Sequence, residues 1–282
     1  MISAFTSNGE HTMDIDTGTN ELLCSVHDGV ALITLNRPEA RNAMSDRLTP
    51  ALRTQIKERG ADPAVGALLI TGAGTAFCSG GDVKGMGDRS SKKDMSIDER
   101  VADLKWRQAN LTGALVGVRK PTIAALPGAA AGAGLAIALA CDIRIAAASA
   151  FVSTGYARVG LSGDYGIAWL LTRAVGSVRA RELMFTAERV DAERCERIGL
   201  VNRVVPDDRL QAEAFAFAKA LAAGPRVAIR SMKDNLDEAL HVDYATALDR
   251  EAERLVACSH TEDHKEAVRA FVEKRAPVFV GR

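Results

Sequence analysis

The chain has 282 residues, enough for one large α/β domain or two smaller ones with a sizeable core. Its composition, 47% apolar and 26% charged, is typical of a globular protein in water. Lys and Arg together number 36, as do Asp and Glu, so the formal net charge is zero. Because there is no excess of positive charge, the composition gives no reason to expect nucleic acid or an anionic membrane as a partner.

Two residue types exclude further classes. The five cysteines are scattered and form no CxxC pair, which argues against a disulfide framework or a zinc site and favours the reducing cytoplasm. The five histidines form no HExxH motif, so we expect no metal. Residues 1–20 are polar, lack the apolar run of a signal peptide, and are expected to be a disordered leader.

The first two thirds of the chain predict alternating strands and helices. Apolar runs on either side of Asp28-Gly29 indicate a β-hairpin. The uncharged segment between Lys120 and Asp142 could span a membrane by length, but its Ala and Gly content and two prolines favour a buried strand, turn and helix. Strand, crossover and strand in succession predict a parallel sheet. The predicted strands are 21–27, 30–35, 65–70, 122–126 and 142–146, and the predicted helices are 45–59 and 132–140.

Beyond about Ser177 the spacing of apolar residues is almost entirely helical. We therefore predict a core domain over 21–200 and a C-terminal helical region over 201–282. The predicted helices are 177–187, 191–198, 208–223, 225–240, 243–257 and 261–271.

Two glycine-rich turns are the most informative local feature. One reads CSGGD over 78–82 and the other GAAAGAG over 128–134, and each joins a strand-like run to a segment of helical character. Two such turns can direct two backbone N–H groups at one oxygen, which is the construction of an oxyanion hole. The alternative interpretation is close packing of helix on strand, which by itself would account for Gly80 and Gly132.

Six groups of residues around the turns and beyond them form an ordered pattern. They are Leu35-Asn36-Arg37-Pro38 with Asn42-Ala43, Ala76 to Lys84, Lys120-Pro121 with Pro127-Gly128 and Gly132-Ala133-Gly134, Cys141 to Arg144, Ala187 to Asp191 with Gly199 to Asn202, and Phe271 to Arg275. The turns alone would be weak evidence, but with these six ordered matches the chain resembles the crotonase superfamily, the enoyl-CoA hydratases and isomerases, over nearly its whole length from residue 21.

This resemblance implies an α/β crotonase (ClpP-like) fold of repeated ββα units, with a C-terminal helical region that builds trimers or dimers of trimers. It implies acyl-CoA thioesters as substrates and no separate cofactor, because coenzyme A is part of the substrate. The N–H groups of Gly81 and Ala133 stand at the family's oxyanion-hole positions, where they would stabilise an enolate as a proton leaves the α-carbon.

The resemblance also implies contacts with the substrate. Lys84 would meet a phosphate, although a solvated surface charge is an equal alternative. Phe271 and Lys274 would reach the coenzyme A of a neighbouring subunit. The full set of implied substrate-binding residues is Ala40, Gly80, Asp82, Val83, Lys84, Ala129, Gly132, Ala136, Tyr156, Phe271 and Lys274.

The chain departs from the family pattern at the two positions that carry the catalytic glutamates of hydratases. Hydratases of this family carry two glutamates that activate water and protonate the α-carbon; here Ala136 and Tyr156 stand at those positions. Alanine cannot move a proton, and tyrosine near its normal pKa is a poor base at neutral pH.

Asp164, within the segment GLSGDYG over 160–166, supplies another carboxylate. It matches a loop aspartate that shuttles protons in isomerases of the family and acts as a nucleophile in 4-chlorobenzoyl-CoA dehalogenase. The dehalogenase requires an aromatic cage, of which Ala157 and Val159 give little sign. The structural alternative is that Asp164 caps the following helix.

The sequence thus predicts an isomerase that converts 3-enoyl-CoA to 2-enoyl-CoA, with Asp164 as acid and base and with Gly81 and Ala133 as the oxyanion hole. Two alternatives stay open: an enoyl-CoA hydratase with a rearranged site, and an acyl-CoA-binding protein without catalysis. Cys78 lies beside the hole, but with no histidine partner in the pattern we assign it to packing.

Overall fold

The computed structural model describes residues 12–81 and 95–282. Two β-sheets form its framework, and successive strands in the middle of the chain alternate between them. The strands are β1 Met13–Ile15, β2 Leu22–His27, β3 Val30–Leu35, β4 Ala67–Gly72, β5 Ala76–Cys78, β6 Thr122–Leu126, β7 Ala129–Ala131, β8 Ile143–Ala147, β9 Phe151–Ser153, β10 Val190–Asp191 and β11 Arg203–Val205.

Nine helices lie in the part of the chain that the structure describes, apart from short 3₁₀ segments. The second helix continues through a π-helical turn, Ala109–Gly113, into Ala114–Val116. The helices are α1 Leu48–Ala61, α2 Ile97–Gln108, α3 Ala133–Ala140, α4 Ile167–Thr186, α5 Ala192–Arg197, α6 Leu210–Ala222, α7 Arg226–Glu238, α8 Tyr244–Ser259 and α9 Glu262–Glu273.

The larger sheet has the strand order β1-β2-β3-β4-β6-β8-β11. Its first three strands are antiparallel and include the predicted hairpin, while β3, β4, β6, β8 and β11 run parallel. The smaller sheet has the order β10-β9-β7-β5, in which β5, β7 and β9 are parallel. The parallel sheet predicted from strand, crossover and strand is confirmed.

Successive ββα units explain this arrangement. In each unit one strand joins the larger sheet, the next joins the smaller sheet, and a helix returns the chain: β6, β7 and α3, then β8, β9 and α4. Because β5, β7 and β9 are parallel neighbours, their carboxyl ends lie along one edge of the smaller sheet. The three segments that follow these strands are therefore brought together.

The uncharged segment 121–141 forms the predicted strand, β6, and the predicted helix, α3, while the segment predicted to be a turn also contains the short strand β7. Every residue of α3 is buried, because its small side chains allow close approach to the strands around it. No helix within residues 12–81 and 95–282 has the length and apolarity required to cross a membrane.

Three differences from the sequence predictions change the description of the fold. Residues 13–15, assigned to a disordered leader, form β1 and pair with β2. The helix predicted from Ser177 follows the non-helical Gly176, as expected, but the helical segment before that residue, 167–175, was not predicted. Finally, β11 lies past the predicted domain boundary at residue 200 and pairs with β8, so the core sheet extends into the region predicted to be helical.

Candidate active site

The two glycine turns follow adjacent strands of the smaller sheet. Gly80 and Gly81 come directly after β5, and Gly132 and Ala133 come directly after β7. Tyr156 and Asp164 lie in the segment between β9 and α4. The fold therefore places the predicted oxyanion donors and the predicted acid-base residue at one edge.

The turns are in close contact. Gly80 has a φ of +92°, and a methyl group there would lie 2.8 Å from the Ala131 oxygen and 3.5 Å from the Ala133 nitrogen. A methyl group at Gly134 would lie only 2.2 Å from the Cys78 oxygen. The close packing offered as the alternative interpretation is present, and it is also what brings the Ala133 amide beside the first turn.

The Ala133 amide stands at the start of α3. The residue before it, Gly132, has φ 51° and ψ −125° and gives the helix no side-chain cap. Its own N–H donates to the Ser153 oxygen at 3.1 Å, which fixes the turn on β9. Amide groups in the first turn of a helix have no partner within the helix and lie at the positive end of its dipole, so they favour a negatively charged oxygen.

Asn42 fixes the connection between β4 and β5 to the loop after β3, a role that the sequence analysis missed. It is fully buried; its Nδ2 donates to the Ala73 and Ala76 oxygens at 2.9 and 2.7 Å, and its Oδ1 accepts from the Arg37 N–H at 2.8 Å. Its φ of +55° favours asparagine among non-glycine residues. A buried-amide role could have been suspected from the Asn42-Ala43 match alone.

The same loop brings Ala40 to the site. The Ser79 N–H donates to the Arg41 oxygen at 3.0 Å, and the Met44 N–H donates to the Gly80 oxygen at 2.8 Å. Ala40 itself is half-buried, and its oxygen accepts from Ser79 Oγ at 3.4 Å. The predicted substrate residues Ala40, Gly80 and Gly132 thus lie around the two turns.

Asp164 and Tyr156 form a hydrogen-bonded pair. Tyr156 Oη donates to Asp164 Oδ1 at 2.6 Å. Burial raises the pKa of Asp164, and the hydrogen bond from Tyr156 offsets part of that rise. Burial and the adjacent carboxylate raise the pKa of Tyr156, so its hydroxyl stays protonated and acts as a donor. A carboxyl group with a raised pKa is suited to accept and return a proton.

The side chain of Asp164 does not cap α4, so the structural alternative for this residue is wrong. The residue at the cap position is Gly166, and no side chain bonds to the first helical amides. Asp164 contributes only its backbone oxygen, which accepts from the Ile167 N–H at 3.1 Å. Its carboxylate is therefore available for other chemistry.

Two of the predicted substrate-binding residues at this edge, Ala136 and Ala129, differ from the others in burial or position. The methyl group of Ala136 has no exposed surface, so contact between its side chain and a substrate would require its neighbours to move. Ala129 is half-buried at the start of β7, three residues before Gly132. Cys78 is fully buried and burial raises the pKa of its thiol to about 11, in agreement with its assignment to packing.

Two further predicted contacts, Phe271 and Lys274, lie at the C-terminal end of α9. Phe271 is 85% exposed on α9 and Lys274 follows the end of that helix, so neither approaches the glycine turns as part of the same subunit's core. Asp82, Val83 and Lys84 lie outside the described residues. Among the residues that are described, no group of three or more His, Cys, Asp or Glu side chains could hold a metal ion.

Comparisons with known proteins agree with this architecture. The sequence model of the enoyl-CoA hydratase/isomerase family matches residues 25–282. The chain belongs to that family. A probable enoyl-CoA hydratase of Mycobacterium tuberculosis is 37% identical over 90% of this chain and 95% of its own length. The 1,2-epoxyphenylacetyl-CoA isomerase of Escherichia coli is 34% identical over 93% of this chain and 98% of its own length.

Solved structures of the family show the same fold. The crystal structure of an enoyl-CoA hydratase from Polaromonas sp. JS666 superposes with a TM-score of 0.85 at 32% identity, covering 92% of this chain and 99% of that one. The predicted crotonase fold is confirmed. The family name joins hydratases and isomerases, so the choice between the two reactions depends on the residues at the site.

Proposed function

We propose that this protein isomerises 3-enoyl thioesters of coenzyme A to 2-enoyl thioesters, with Asp164 as the single acid-base group. The observation that carries the proposal is the half-buried Asp164 carboxylate beside the glycine turns, in a site with alanine and tyrosine where the hydratases have glutamates. Burial raises the pKa of Asp164, which favours reversible proton transfer.

The proposed reaction is one proton shuttle. Asp164 takes a proton from C2 of the 3-enoyl thioester, and the electrons of the broken C–H bond move into a dienolate whose negative charge lies on the thioester oxygen. The N–H groups of Gly81 and Ala133 donate to this oxygen. Asp164 then returns the proton to C4, the double bond is left between C2 and C3, and no atom is gained or lost.

A hydratase is the second candidate, and the printed names of several relatives favour it. Addition of water requires a group that activates the water and a group that protonates the α-carbon. Here Ala136 has no ionisable group and Tyr156 is held protonated, so Asp164 would have to do both. A relative named as an isomerase matches nearly the whole chain as well as several hydratases do.

A protein that binds acyl-CoA without reaction is the third candidate. It is supported by Ala136 and opposed by Asp164, whose side chain serves no helix cap.

The proposal includes the assembly and the setting. We propose a homotrimer or a dimer of trimers in which Phe271 and Lys274 approach the coenzyme A of a neighbour; their exposure in the single chain supports this. No separate cofactor is assigned, because coenzyme A arrives with the substrate. The cytoplasm is proposed because all five cysteines are free thiols.

The test is incubation of the protein with 3-enoyl-CoA and with 2-enoyl-CoA, comparing wild type with Asp164→Asn. We expect isomerisation by wild type and a loss of about 10³-fold in kcat in the variant, the range for removal of a general base. Asp191→Asn is the matched control, since Asp191 caps α5 and asparagine can also do so. Hydration of 2-enoyl-CoA that survives Asp164→Asn would exclude the proposed mechanism. Binding of both thioesters without turnover would favour the non-catalytic candidate.

A further inference from the structure

The two oxygens of the Asp164 carboxylate have different surroundings. Oδ1 accepts the hydrogen bond from Tyr156 Oη at 2.6 Å, a length typical of a hydroxyl that donates to a carboxylate. Among the residues that the structure describes, no other hydrogen-bond donor reaches this carboxylate. Oδ1 is therefore engaged, and Oδ2 is left for exchange of a proton with a bound molecule.

Tyr156 is itself held in place by packing. Its side chain is buried, with 7% exposed, and begins a 3₁₀ turn between Gly155 and Gly160, both of which have positive φ. A methyl group at Gly132 would lie 4.0 Å from Tyr156 Cζ, the carbon that carries the hydroxyl. The hydroxyl thus stands between the second glycine turn and Asp164.

We infer that Tyr156 is a positioning residue: its hydroxyl fixes Oδ1 of Asp164, so that Oδ2 is the oxygen that collects and returns the substrate proton. This inference rests on the proposed function. As the C2–H bond breaks, an O–H bond forms at Oδ2; as the new C4–H bond forms, that O–H bond breaks. Tyr156 keeps its proton throughout and donates to Oδ1 in both steps.

The pKa shifts at the Tyr156–Asp164 pair agree with Tyr156 as the hydrogen-bond donor and Asp164 as the charged base. The hydroxyl of Tyr156 lowers the pKa of Asp164 against the effect of burial, so it helps to keep the carboxylate charged before the reaction. The next residue, Tyr165, is also buried; burial raises the pKa of its hydroxyl, and the positive charges of Arg53 on α1 and Arg107 on α2 offset part of that rise. Removing the Tyr156 hydroxyl should therefore raise the pKa of Asp164.

Tyr156→Phe tests the inference because it keeps the ring and removes only the donor. We expect kcat for isomerisation to fall about tenfold, the usual scale for one hydrogen bond to a charged group, with KM changed less than about twofold. The acid limb of the pH profile of kcat/KM should move up by roughly one pH unit. A purely packing role would alter KM or the melting temperature and leave this limb unmoved.

Tyr165→Phe is the matched control. It removes a hydroxyl one residue away from Asp164, on a buried ring of the same type, and leaves the Tyr156–Asp164 hydrogen bond intact. We expect its acid limb to coincide with that of wild type. An equal shift in both variants would overturn the specific role of Tyr156.

A second measurement separates this inference from the proposed function. The protein is labelled with ¹³C at its aspartate carboxyl groups, and the Asp164 resonance is assigned as the one that is absent from the spectrum of Asp164→Asn. The titration of this resonance can then be followed by NMR without substrate. A midpoint that rises in Tyr156→Phe supports the inference even if no isomerisation is found. An unchanged midpoint overturns the positioning role of Tyr156, whereas loss of activity in Asp164→Asn would still support Asp164 as the general base.

Discussion

The edge of the smaller sheet and the C-terminal helices bury their surfaces in different ways. At the edge, methyl groups at Gly80, Gly128 and Gly134 would approach backbone oxygens more closely than 3 Å, and every residue of α3 is buried. In the C-terminal helices, α7 and α8 have no buried residue. Large apolar side chains are instead exposed along α7, α8 and α9 and in the turn after α7: Met232, Leu236, Leu240, Tyr244, Leu248, Leu255, Val256, Val268, Phe271 and Val272.

This difference shows which parts of the protein one chain can complete. The glycine turns and the Tyr156–Asp164 pair are positioned by contacts within the chain. The C-terminal helices present an apolar surface of the kind that marks a protein interface. The proposed oligomer is therefore expected to matter for the helices and for the residues they carry, and much less for the backbone of the turns.

The largest effect is expected where the edge is tightest. In Gly134→Ala the new methyl group would overlap the Cys78 oxygen, a backbone atom that cannot rotate away. We expect the free energy of unfolding to fall by about 3 kcal/mol, the upper part of the range for overpacking, measured by denaturation in urea. The proposed isomerase activity should be lost with it, because Gly134 follows the proposed donor Ala133.

Gly113→Ala is the matched control for that change. The site lies in the π-helical turn after α2, has a φ of −61°, and offers a methyl group ordinary contact at 3.5 Å from the Gln108 oxygen. Stability should stay the same or rise, because alanine favours helical backbone more than glycine does. Equal losses in the two variants would mean that the edge is no more tightly packed than the rest of the chain.

Leu236→Asp is expected to change the stability of the single chain less than Gly134→Ala does, but to weaken the association of subunits clearly. Leu236 is 71% exposed on α7 and shares one helix face with Met232. Introducing a charge into an apolar interface costs several kcal/mol of association free energy, so the oligomer should dissociate at micromolar concentration in sedimentation experiments. The denaturation of the separated subunit should change little.

Arg230→Glu is the comparison for the assembly experiment, since Arg230 is exposed but lies about half a turn from the apolar face. Its sedimentation should match that of wild type. A monomeric wild type would contradict the proposed assembly directly.

The sequence predicted the elements of the site better than their contacts. The turns at 78–82 and 128–134 were found because glycine and small residues between strand and helix are a strong local signal. The bond between Tyr156 and Asp164 could not be predicted, because it depends on how eight residues fold around Gly155, Gly160 and Gly163. Strand β11 was missed because three residues give too short a pattern, and its pairing with β8 depends on partners far along the chain.

The smallest effect is expected where α7 contacts the core. Lys233 Nζ donates to Asp142 Oδ2 at 2.8 Å and to the Lys120 oxygen at 3.0 Å. In Lys233→Ala these bonds are lost, but Asp142 is exposed to solvent and keeps its bonds from the Thr122 N–H and Oγ1, so its carboxylate is not left without a partner. We therefore expect a loss of only about 1 kcal/mol.

Amide hydrogen exchange checks where that loss falls. If the C-terminal helices are attached by a few polar contacts, exchange should become faster in α7 and α8 and stay the same in α3, whose amides are buried in the core. Faster exchange in α3 as well would show that the helices and the site edge unfold as one unit. In that case the contrast between the two regions would hold for exposed surface only, and the turns would depend on the C-terminal helices for their stability.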